Sequence, residues 1–244
     1  MNLIKLIILK IYSIISTLIE NFLFKKNSNT SYLKKEGFLK VKLNEEVLKK
    51  IQLEKKIFRN KYFKILIMDE SQIQKILKKI FVINKISDEI TKNTGFNYKI
   101  SYLILYETSS IPQDIRNQEI YANHWHFDKP YSRNTIKMII PFDKINQNSG
   151  AMQILNIENS KKLKFDKLTP DLKFTGDQND LLIFYPNLCA HKAGIPEKNF
   201  SRKQLMLQLN PSNKWCYSKF LYNKQYNIEP KFPLKNLFES SILL

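Results

Sequence analysis

Residues 96–209 form a series of short apolar runs separated by turn-forming residues. In the first run, at 98–106, aromatic and branched side chains alternate with other residues, and this period of two is typical of a β-strand. Further strand-like runs occupy about 135–142, 150–155, 181–185, 188–192 and 203–209. Because no helical periodicity lies between them, the pattern predicts an antiparallel sandwich or barrel rather than βαβ units.

The three histidines of this 244-residue chain all lie within the strand region. His126 and Asp128 are two positions apart, so in an extended segment both side chains leave the same face. With His191 brought alongside by the fold, they would supply two imidazoles and one carboxylate. That set is the facial triad of non-haem Fe(II) oxygenases, which leaves the opposite coordination positions open for substrates and O2.

Arginine is scarce in this basic chain, and one of its four arginines follows the histidines closely. Arg202 lies 11 residues beyond His191, at the start of the 203–209 run. A hairpin between the two strands would aim its guanidinium at the site, where it could bind the far carboxylate of 2-oxoglutarate by bidentate hydrogen bonds. The other carboxylate and the keto oxygen would chelate the metal and leave one position for O2. The sequence therefore predicts an Fe(II)- and 2-oxoglutarate-dependent dioxygenase.

Five segments carry a family resemblance: EGFLKV (36–41), NHWHFD (123–128), IKMIIPFDKINQNSGAMQIL (136–155), NDLLIFYPNLCAH (179–191) and SRKQLMLQL (201–209). Together they resemble the phytanoyl-CoA dioxygenase-like branch of the 2-oxoglutarate oxygenases over about residues 32–210. The resemblance implies a mainly β (α+β) fold, a double-stranded β-helix (jelly-roll) core with flanking N-terminal helices. It also implies His126, Asp128 and His191 as iron ligands, Arg202 as the 2-oxoglutarate anchor, and no catalytic residue beyond the metal ligands.

The same resemblance bears on the reaction and on the substrate. Related halogenases replace the ligand carboxylate with a small residue, so Asp128 favours hydroxylation with release of succinate and CO2. The turn at 147–150 (QNSG) resembles the family's Asn-Gly loop, but LNIENS (155–160) stands in place of the Pro-Gly-Ser-His that commonly follows. Because that loop often borders the substrate, we predict only a small molecule or lipid-like compound with an unactivated C–H bond.

Other residues near the triad receive lesser roles. The pair His124 and His126 could begin a cupin-type metal site, but no Glu follows before Glu158. We therefore assign His124 to the pocket lining or to contact with a ligand residue. Trp125 and Phe127 should point away into the core.

Three further side chains are candidates for the surroundings of the site. Cys189 could be a soft metal ligand, but a small buried apolar role is favoured. Lys137 and Tyr102 are candidates for secondary contacts with 2-oxoglutarate.

Residues 1–24 are predicted to form an amphipathic helix with a wide apolar face. Lys5, Lys10 and Glu20 interrupt the apolar run, which makes it a poor transmembrane span. It also lacks a small-residue cleavage site, which argues against a signal peptide. The helix could lie in a membrane interface, or it could pack on the domain's own sheet or on a partner chain.

Two helices are predicted between the first segment and the strands. Asn44 could cap a helix that carries the apolar residues at 47, 48, 51 and 57 inward. Asp69 followed by Gln72 is a capping box, and helical spacing continues behind it until Gly95. The predicted organisation is a helix and linker at 1–30, the dioxygenase domain at 31–210, and an irregular C-terminal extension at 211–244 packed on the domain.

The formal net charge of +18 and the pI near 9.7 invite a nucleic-acid or membrane-surface interpretation. The lysines are scattered, however, which favours a solvated surface, and we expect no specific nucleic-acid partner. The alternative function is a non-catalytic basic jelly-roll module that binds at a membrane surface. Cys189 and Cys216 form no CxxC pair, which is consistent with a reducing compartment. We therefore expect a cytoplasmic location, with membrane association left open.

Overall fold

Two β-sheets packed face to face make up the centre of the computed structural model, which describes residues 3–26, 31–49, 51–128, 132–226 and 239–244. The strands are β1 (Phe38–Lys42), β2 (Lys55–Asn60), β3 (Phe63–Ile67), β4 (Asn97–Ser109), β5 (Ile136–Pro141), β6 (Met152–Ile154), β7 (Leu172–Phe174), β8 (Asp180–Phe184), β9 (His191–Lys192), β10 (Ser201–Ser212), β11 (Cys216–Ser218) and β12 (Ser241–Leu243). The helices are α1 (Leu3–Phe24), α2 (Tyr32–Glu36), α3 (Glu70–Leu77), α4 (Ile86–Thr94) and α5 (Leu221–Lys224), with a π-helical stretch at Lys78–Ile83.

The chain passes repeatedly from one sheet to the other. The larger sheet has the strand order β1-β8-β5-β10-β4-β11-β12, and the β2–β3 hairpin pairs with the far end of β4. The smaller sheet has the order β7-β6-β9. The paired strands are antiparallel except β11 with β4. From β5 to β10 the chain crosses between the two sheets four times: β5, β8 and β10 belong to the larger sheet, and β6, β7 and β9 to the smaller one, as expected of a jelly roll.

The central strands are apolar on both faces because both faces of the larger sheet are covered. On β8, Leu181 and Ile183 belong to the core beneath the helices, whereas Leu182 and Phe184 pack towards the smaller sheet. On β10 the odd-numbered leucines, from 205 to 209, face the helices, while Arg202 and the even-numbered residues that follow face the space between the sheets. The period of two therefore places polar side chains in the interior.

The helix predicted between Asp69 and Gly95 begins as expected but does not continue as one helix. Asp69 caps α3 as predicted: its carboxylate accepts a hydrogen bond from the Gln72 N–H at 2.7 Å. The single helix predicted from there to Gly95 is wrong, because the chain breaks at Asn84–Lys85, where Lys85 has a φ of 53°. Gly95 ends α4 with a φ of 79°, in the left-handed conformation expected of a helix C-cap.

The helix predicted after Asn44 is also wrong. The Asn84 side-chain oxygen accepts hydrogen bonds from the N–H groups of Asn44 and Glu45, at 2.7 and 3.2 Å, and holds this segment as an irregular loop. Ile57 lies in β2, which pairs with β3, and β3 in turn pairs with β4. Tertiary pairing to the central sheet therefore overrides the local helical spacing.

The C-terminal part is more regular than predicted. After Pro211 the chain adds β11 and β12 to the larger sheet and forms the short helix α5. Residues 227–238 of the predicted extension and residues 27–30 of the predicted linker lie outside the described residues. The proposed domain boundaries stay predictions.

Helix α1 packs on the domain through its polar side. Ser16 and Glu20 are 0% and 1% exposed, whereas Leu18 and Phe22 are 62% and 88% exposed. By length and composition alone, Ile7–Phe24 could cross a membrane. Packing on the domain, one of the three locations predicted for this helix, therefore involves its polar side and leaves its apolar side exposed.

Candidate metal centre

His126 and His191 lie directly opposite each other on antiparallel segments. Their backbones exchange two hydrogen bonds, each with an N···O distance of 3.0 Å. Because residues paired across a ladder present their side chains on the same face, the two imidazoles lie side by side, with ring centroids 4.4 Å apart. The fold thus brings the distal histidine beside the segment that carries the first one.

Asp128 completes the cluster. Its N–H donates a hydrogen bond of 2.9 Å to the carbonyl of Pro186, in the loop that leads to His191. Its Oδ1 lies 3.6 Å from Nε2 of His126, and its Oδ2 lies 3.8 Å from Nε2 of His191. The ligand atoms of the three residues all lie within 4.8 Å of one another. The structure therefore assembles the three residues that the sequence predicts as metal ligands.

Both histidines are held by the backbone in the tautomer that a metal site needs. Nδ1 of His126 lies 2.8 Å from the carbonyl oxygen of His124, and Nδ1 of His191 lies 3.0 Å from that of Cys189. A carbonyl only accepts, so each Nδ1 carries the proton and each Nε2 presents a lone pair towards Asp128. Burial lowers the pKa of His191 to about 3, which keeps its imidazole neutral and able to coordinate.

The carboxylate of Asp128 is kept ionised by Lys137 on β5. Burial by itself would raise the pKa of Asp128, but the positive charge of Lys137, with a smaller contribution from His191, brings that pKa below its usual value. The Lys137 ammonium lies in direct ion-pair contact with Oδ2 of Asp128. An ionised carboxylate at this position is a suitable metal ligand.

The donor set fits a divalent metal ion of the Fe(II) type. Two imidazole nitrogens and one carboxylate oxygen are the ligands of the facial triad. In an octahedral site with bonds of about 2.1 Å, neighbouring ligand atoms are about 3 Å apart. The observed separations of 3.6 and 3.8 Å are slightly longer, and small rotations of the side chains would close the difference.

Arg202 is buried in the same cavity without an anionic partner. Its side chain is 1% exposed, and one guanidinium nitrogen, Nη1, donates to the carbonyls of Gly150 and, at 3.3 Å, Gly194. Nε and Nη2 have no partner among the described residues, and no described carboxylate forms an ion pair with the group. A buried charge is costly unless it is paired, so the site is suited to an anion.

Two glycines set the position of this guanidinium. A Cβ on Gly194 would lie 2.3 Å from the carbonyl oxygen of Ala151, and one on Gly150 would lie 2.5 Å from the nitrogen of Pro196. These contacts are shorter than real Cβ atoms make, so only glycine lets the two backbones approach. Their close approach directs both carbonyl oxygens at Nη1 of Arg202.

The triad and Arg202 line one cavity of about 480 Å³ between the two sheets. This volume lies within the usual range for small-molecule sites, about 300–1,000 Å³. Apolar side chains line much of the wall, among them Phe63, Ile104 and Met152. The Tyr102 hydroxyl and the Gln204 Oε1 also belong to cavity-lining residues and have no partner among the described residues. The cavity therefore combines an apolar wall with unsatisfied polar atoms.

Several lining residues were missed from the sequence. Arg59 and Asn60 on β2 line the cavity, but the sequence predicted a helix through Ile57, just before them, and no role for either residue. Tyr106 and Tyr121 also line it, and so does Gln204. The scarcity of arginine is the one signal that could have drawn attention to Arg59.

His124 takes only one of its two predicted roles, contact with a ligand residue, and the two aromatic residues beside His126 differ from prediction. The ring of His124 does not line the cavity; it lies 3.4 Å from a carboxylate oxygen of Glu119, and its backbone carbonyl orients His126 instead. Trp125 and Phe127 are half-buried rather than in the core: Trp125 packs beneath the Lys192 ammonium and Phe127 against Phe165.

Cys189, Lys137 and Tyr102 are placed as follows. Cys189 is fully buried in the apolar cluster between the sheets, as predicted, and burial raises its pKa to about 12. Lys137 and Tyr102 both line the cavity. Their contacts with 2-oxoglutarate stay predictions.

No protein-family model matches the chain, and no curated protein sequence matches it. Among solved structures, the chain is similar to the non-haem α-ketoglutarate-dependent epimerase SnoN of nogalamycin biosynthesis, with 9% identity, a TM-score of 0.53, and coverage of 73% of this chain and 79% of SnoN. It is also similar to the nickel complex of the non-haem monooxygenase ThoJ (12% identity, TM-score 0.49, 73% and 75% covered). A third is HygX of Streptomyces hygroscopicus with nickel, 2-oxoglutarate and hygromycin B bound (9% identity, TM-score 0.47, 75% and 86% covered).

The likeness to SnoN shows a shared fold and nothing finer, because the identity is only 9%. The TM-scores of ThoJ and HygX lie below 0.5 and add nothing to this. The predicted mainly β fold with a double-stranded β-helix core is thereby confirmed.

Proposed function

We propose that this protein is an Fe(II)- and 2-oxoglutarate-dependent dioxygenase that hydroxylates an unactivated C–H bond of a small-molecule or lipid-like substrate. One observation carries the proposal: the His126, Asp128 and His191 cluster shares one cavity with the buried, unpaired guanidinium of Arg202. A metal triad alone occurs in many kinds of site. A metal triad beside a buried guanidinium that has no anionic partner is suited to a chelating dicarboxylate.

Different residues of the cavity would bind the metal ion and 2-oxoglutarate. Nε2 of His126, Nε2 of His191 and the Asp128 carboxylate would hold Fe(II), and they occupy one face, so O2 and co-substrate can bind opposite. Arg202 would bind the far carboxylate of 2-oxoglutarate through Nε and Nη2, the atoms left without partners. Lys137 and Tyr102, which line the same cavity, would make further contacts to its oxygens.

Fe(II) with 2-oxoglutarate and O2 supplies an oxidant strong enough to break an unactivated C–H bond, and the co-substrate leaves as succinate and CO2. The chain's own part is to position the reactants and to exclude water. Burial of His191, which is 4% exposed, and the apolar wall of the cavity serve the second task. Hydroxylation is favoured because Asp128 fills the position at which a halide would otherwise bind.

The proposal also covers the substrate class and the family. The wall formed by Phe63, Ile104 and Met152 favours a substrate with an apolar body. The sequence motifs support membership of the phytanoyl-CoA dioxygenase-like branch. The two cysteines are free and buried, which agrees with a cytoplasmic enzyme.

An anaerobic titration with Fe(II) and 2-oxoglutarate tests the proposal. Chelation of Fe(II) by the keto acid gives a visible charge-transfer absorption, which the wild type should develop with one equivalent of each. His126→Ala and Asp128→Ala should abolish it, whereas His124→Ala, a matched histidine whose ring lies outside the cavity, should retain it. Succinate release with a pool of candidate small molecules then tests turnover.

Arg202→Met separates the anchor from the metal site. It should leave Fe(II) binding in place and weaken 2-oxoglutarate binding by roughly one to two orders of magnitude, because a charge-assisted hydrogen-bond pair is lost. Normal absorption in Asp128→Ala, or turnover without 2-oxoglutarate, would show that the proposal is wrong. Absence of iron uptake together with salt-sensitive membrane binding would favour the alternative, a non-catalytic basic module at a membrane surface.

A further inference from the structure

Helix α1 is mounted with its polar side inward and its apolar side outward, the reverse of a helix that covers a core. Ser13, Ser16 and Glu20 are buried against the domain. On the opposite side, called here the apolar face of α1, each residue is between 41% and 88% exposed. It consists of Ile7, Ile8, Ile11, Ile14, Ile15, Leu18, Phe22 and Leu23.

The polar side is fastened to the domain by hydrogen bonds at several points along the helix. Ser132 donates to the Glu20 carboxylate, and the Asn134 amide donates to the same group at 3.2 Å. The Arg133 N–H donates to the Thr17 hydroxyl at 2.9 Å. Nearer the N-terminus, the Asn187 amide donates to the Ser13 hydroxyl at 2.9 Å. These contacts fix the helix axis along the domain surface and fix which side faces outward.

The exposed charged residues within the described stretch 7–26 are all lysines. Within residues 7–26 the charged residues are Lys10, Glu20, Lys25 and Lys26, and Glu20 alone is buried. The lysines are exposed at positions near both ends of the apolar face. An exposed apolar face of this extent, bordered by cations, is the composition of a helix that lies in the interface of an anionic bilayer.

Two other occupants fit the same observations less well. A second copy of the chain would bring another α1 with the same lysines against this one, so like charges would meet. A helix that crosses the bilayer would have to give up the hydrogen bonds of Ser13, Thr17 and Glu20 to the domain and place those groups in hydrocarbon, where each unsatisfied group is costly.

We propose that α1 is a fixed interfacial helix that binds this protein to anionic lipid membranes, with its axis parallel to the surface. The apolar face enters the boundary between headgroups and acyl chains, and Lys10, Lys25 and Lys26 contact lipid phosphates. The proposal does not depend on the metal centre.

The hydrogen bonds of α1 also reach segments that adjoin the metal ligands in the chain. Residues 132–134 follow Asp128 closely, and Asn187 lies in the loop between Pro186, which binds the Asp128 N–H, and His191. Membrane binding would therefore fix the orientation of these two segments relative to the lipid surface.

Co-sedimentation of the full chain with lipid vesicles tests the proposal. The wild type should bind vesicles of phosphatidylcholine with phosphatidylglycerol, and it should bind vesicles of phosphatidylcholine alone far more weakly. Added salt should release it, because the lysine contacts are screened. The double variant Lys25→Gln with Lys26→Gln should bind the anionic vesicles roughly thirtyfold more weakly, as expected for two surface charges near anionic lipid.

The apolar face is tested separately. Leu18→Gln with Phe22→Gln should abolish sedimentation with both kinds of vesicle, since two large apolar side chains no longer enter the bilayer. Leu163→Gln is the matched control, because Leu163 is 96% exposed and lies outside α1; it should bind as the wild type does. All these side chains are solvent-exposed, so the folded state should persist, which circular dichroism would verify.

Three results would overturn the proposal. One is equal binding by the wild type and the Leu18/Phe22 variant, or binding by neither. Another is a dimer of the lipid-free wild type that becomes a monomer in this variant, which would make α1 a contact between copies. The third is wild-type protein that stays in the membrane through alkaline carbonate extraction, which would show a spanning helix.

Discussion

The buried carboxyl of Glu20 makes the docking of α1 dependent on pH. Burial raises the pKa of Glu20 from 4.5 to about 7, more than the hydrogen bonds from Ser132 and Asn134 lower it. The docked helix therefore favours the protonated acid. Docking is strongest below pH 4.5, weakens as the pH rises towards about 7, and changes little above that. Tyr98 interacts electrostatically with Glu20, but burial raises the pKa of Tyr98 well above 10, so it does not titrate in this window.

The size of the effect follows from the two pKa values. A rise from 4.5 to about 7 corresponds to a loss of up to about 3 kcal/mol of docking free energy across the window. Each 1.4 kcal/mol is about a factor of ten, so protection of the α1 amides should fall by roughly two orders of magnitude. Glu20→Gln keeps an oxygen that can accept both hydrogen bonds and cannot ionise, so it should remove this dependence.

Hydrogen–deuterium exchange of α1 in the lipid-free protein measures the effect. At each pH between about 5 and about 8 the wild type is compared with Glu20→Gln, so that the intrinsic pH dependence of exchange cancels. The two should be equally protected at the acid end, and α1 of the wild type should exchange faster at the alkaline end. Glu158→Gln, at an exposed carboxyl, is the control and should match the wild type throughout. Parallel pH profiles of the wild type and Glu20→Gln would refute the reasoning.

Three further predictions follow from the site and its supports. Gly194→Ala should weaken 2-oxoglutarate binding while Fe(II) still binds, since the added Cβ meets the Ala151 carbonyl and displaces the oxygen that positions Arg202; unchanged affinity by titration would contradict this. Gly37→Ala should lower stability by about 2–4 kcal/mol, because Gly37 has a φ of 88° and a Cβ there would lie 2.3 Å from the Cys189 sulfur; chemical denaturation measures it. Saturating Ni(II), a redox-inert substitute for iron, should raise the wild-type Tm by about 5–10 °C and leave that of Asp128→Ala unchanged; an equal shift in both would place the metal elsewhere.

The sequence was most informative where local spacing and chemistry coincide. The two-residue interval between His126 and Asp128 needs only an extended backbone to place both side chains on one face, and the strand context supplied it. Arg202 could be selected because arginine is scarce and because it follows His191 within one hairpin's reach. Of the strands from β4 to β10, all but β7 were predicted from the sequence, because strands impose a period of two on it.

Sequence reasoning failed where distant pairing decides the local structure. The residues from Asn44 to Ile57 have helical spacing, yet β2 pairs with β3 and completes a hydrogen-bonded edge of the central sheet. As a result Arg59 and Asn60 were not recognised as part of the cavity. The break at Asn84 is similar, because its side chain binds backbone groups some 40 residues earlier.

The sequence by itself determined the donor set of the candidate metal site, the strand pattern and the amphipathic character of α1. Those properties depend on residue type and on spacing over a few positions. Only the tertiary structure decided that Lys137 neutralises Asp128, that Gly150 and Gly194 aim the guanidinium of Arg202, and that α1 turns its polar side inward. These depend on contacts between residues far apart in the chain, and hydrogen bonds from Ser132, Arg133, Asn134 and Asn187 outweigh the usual preference of an apolar face for the interior.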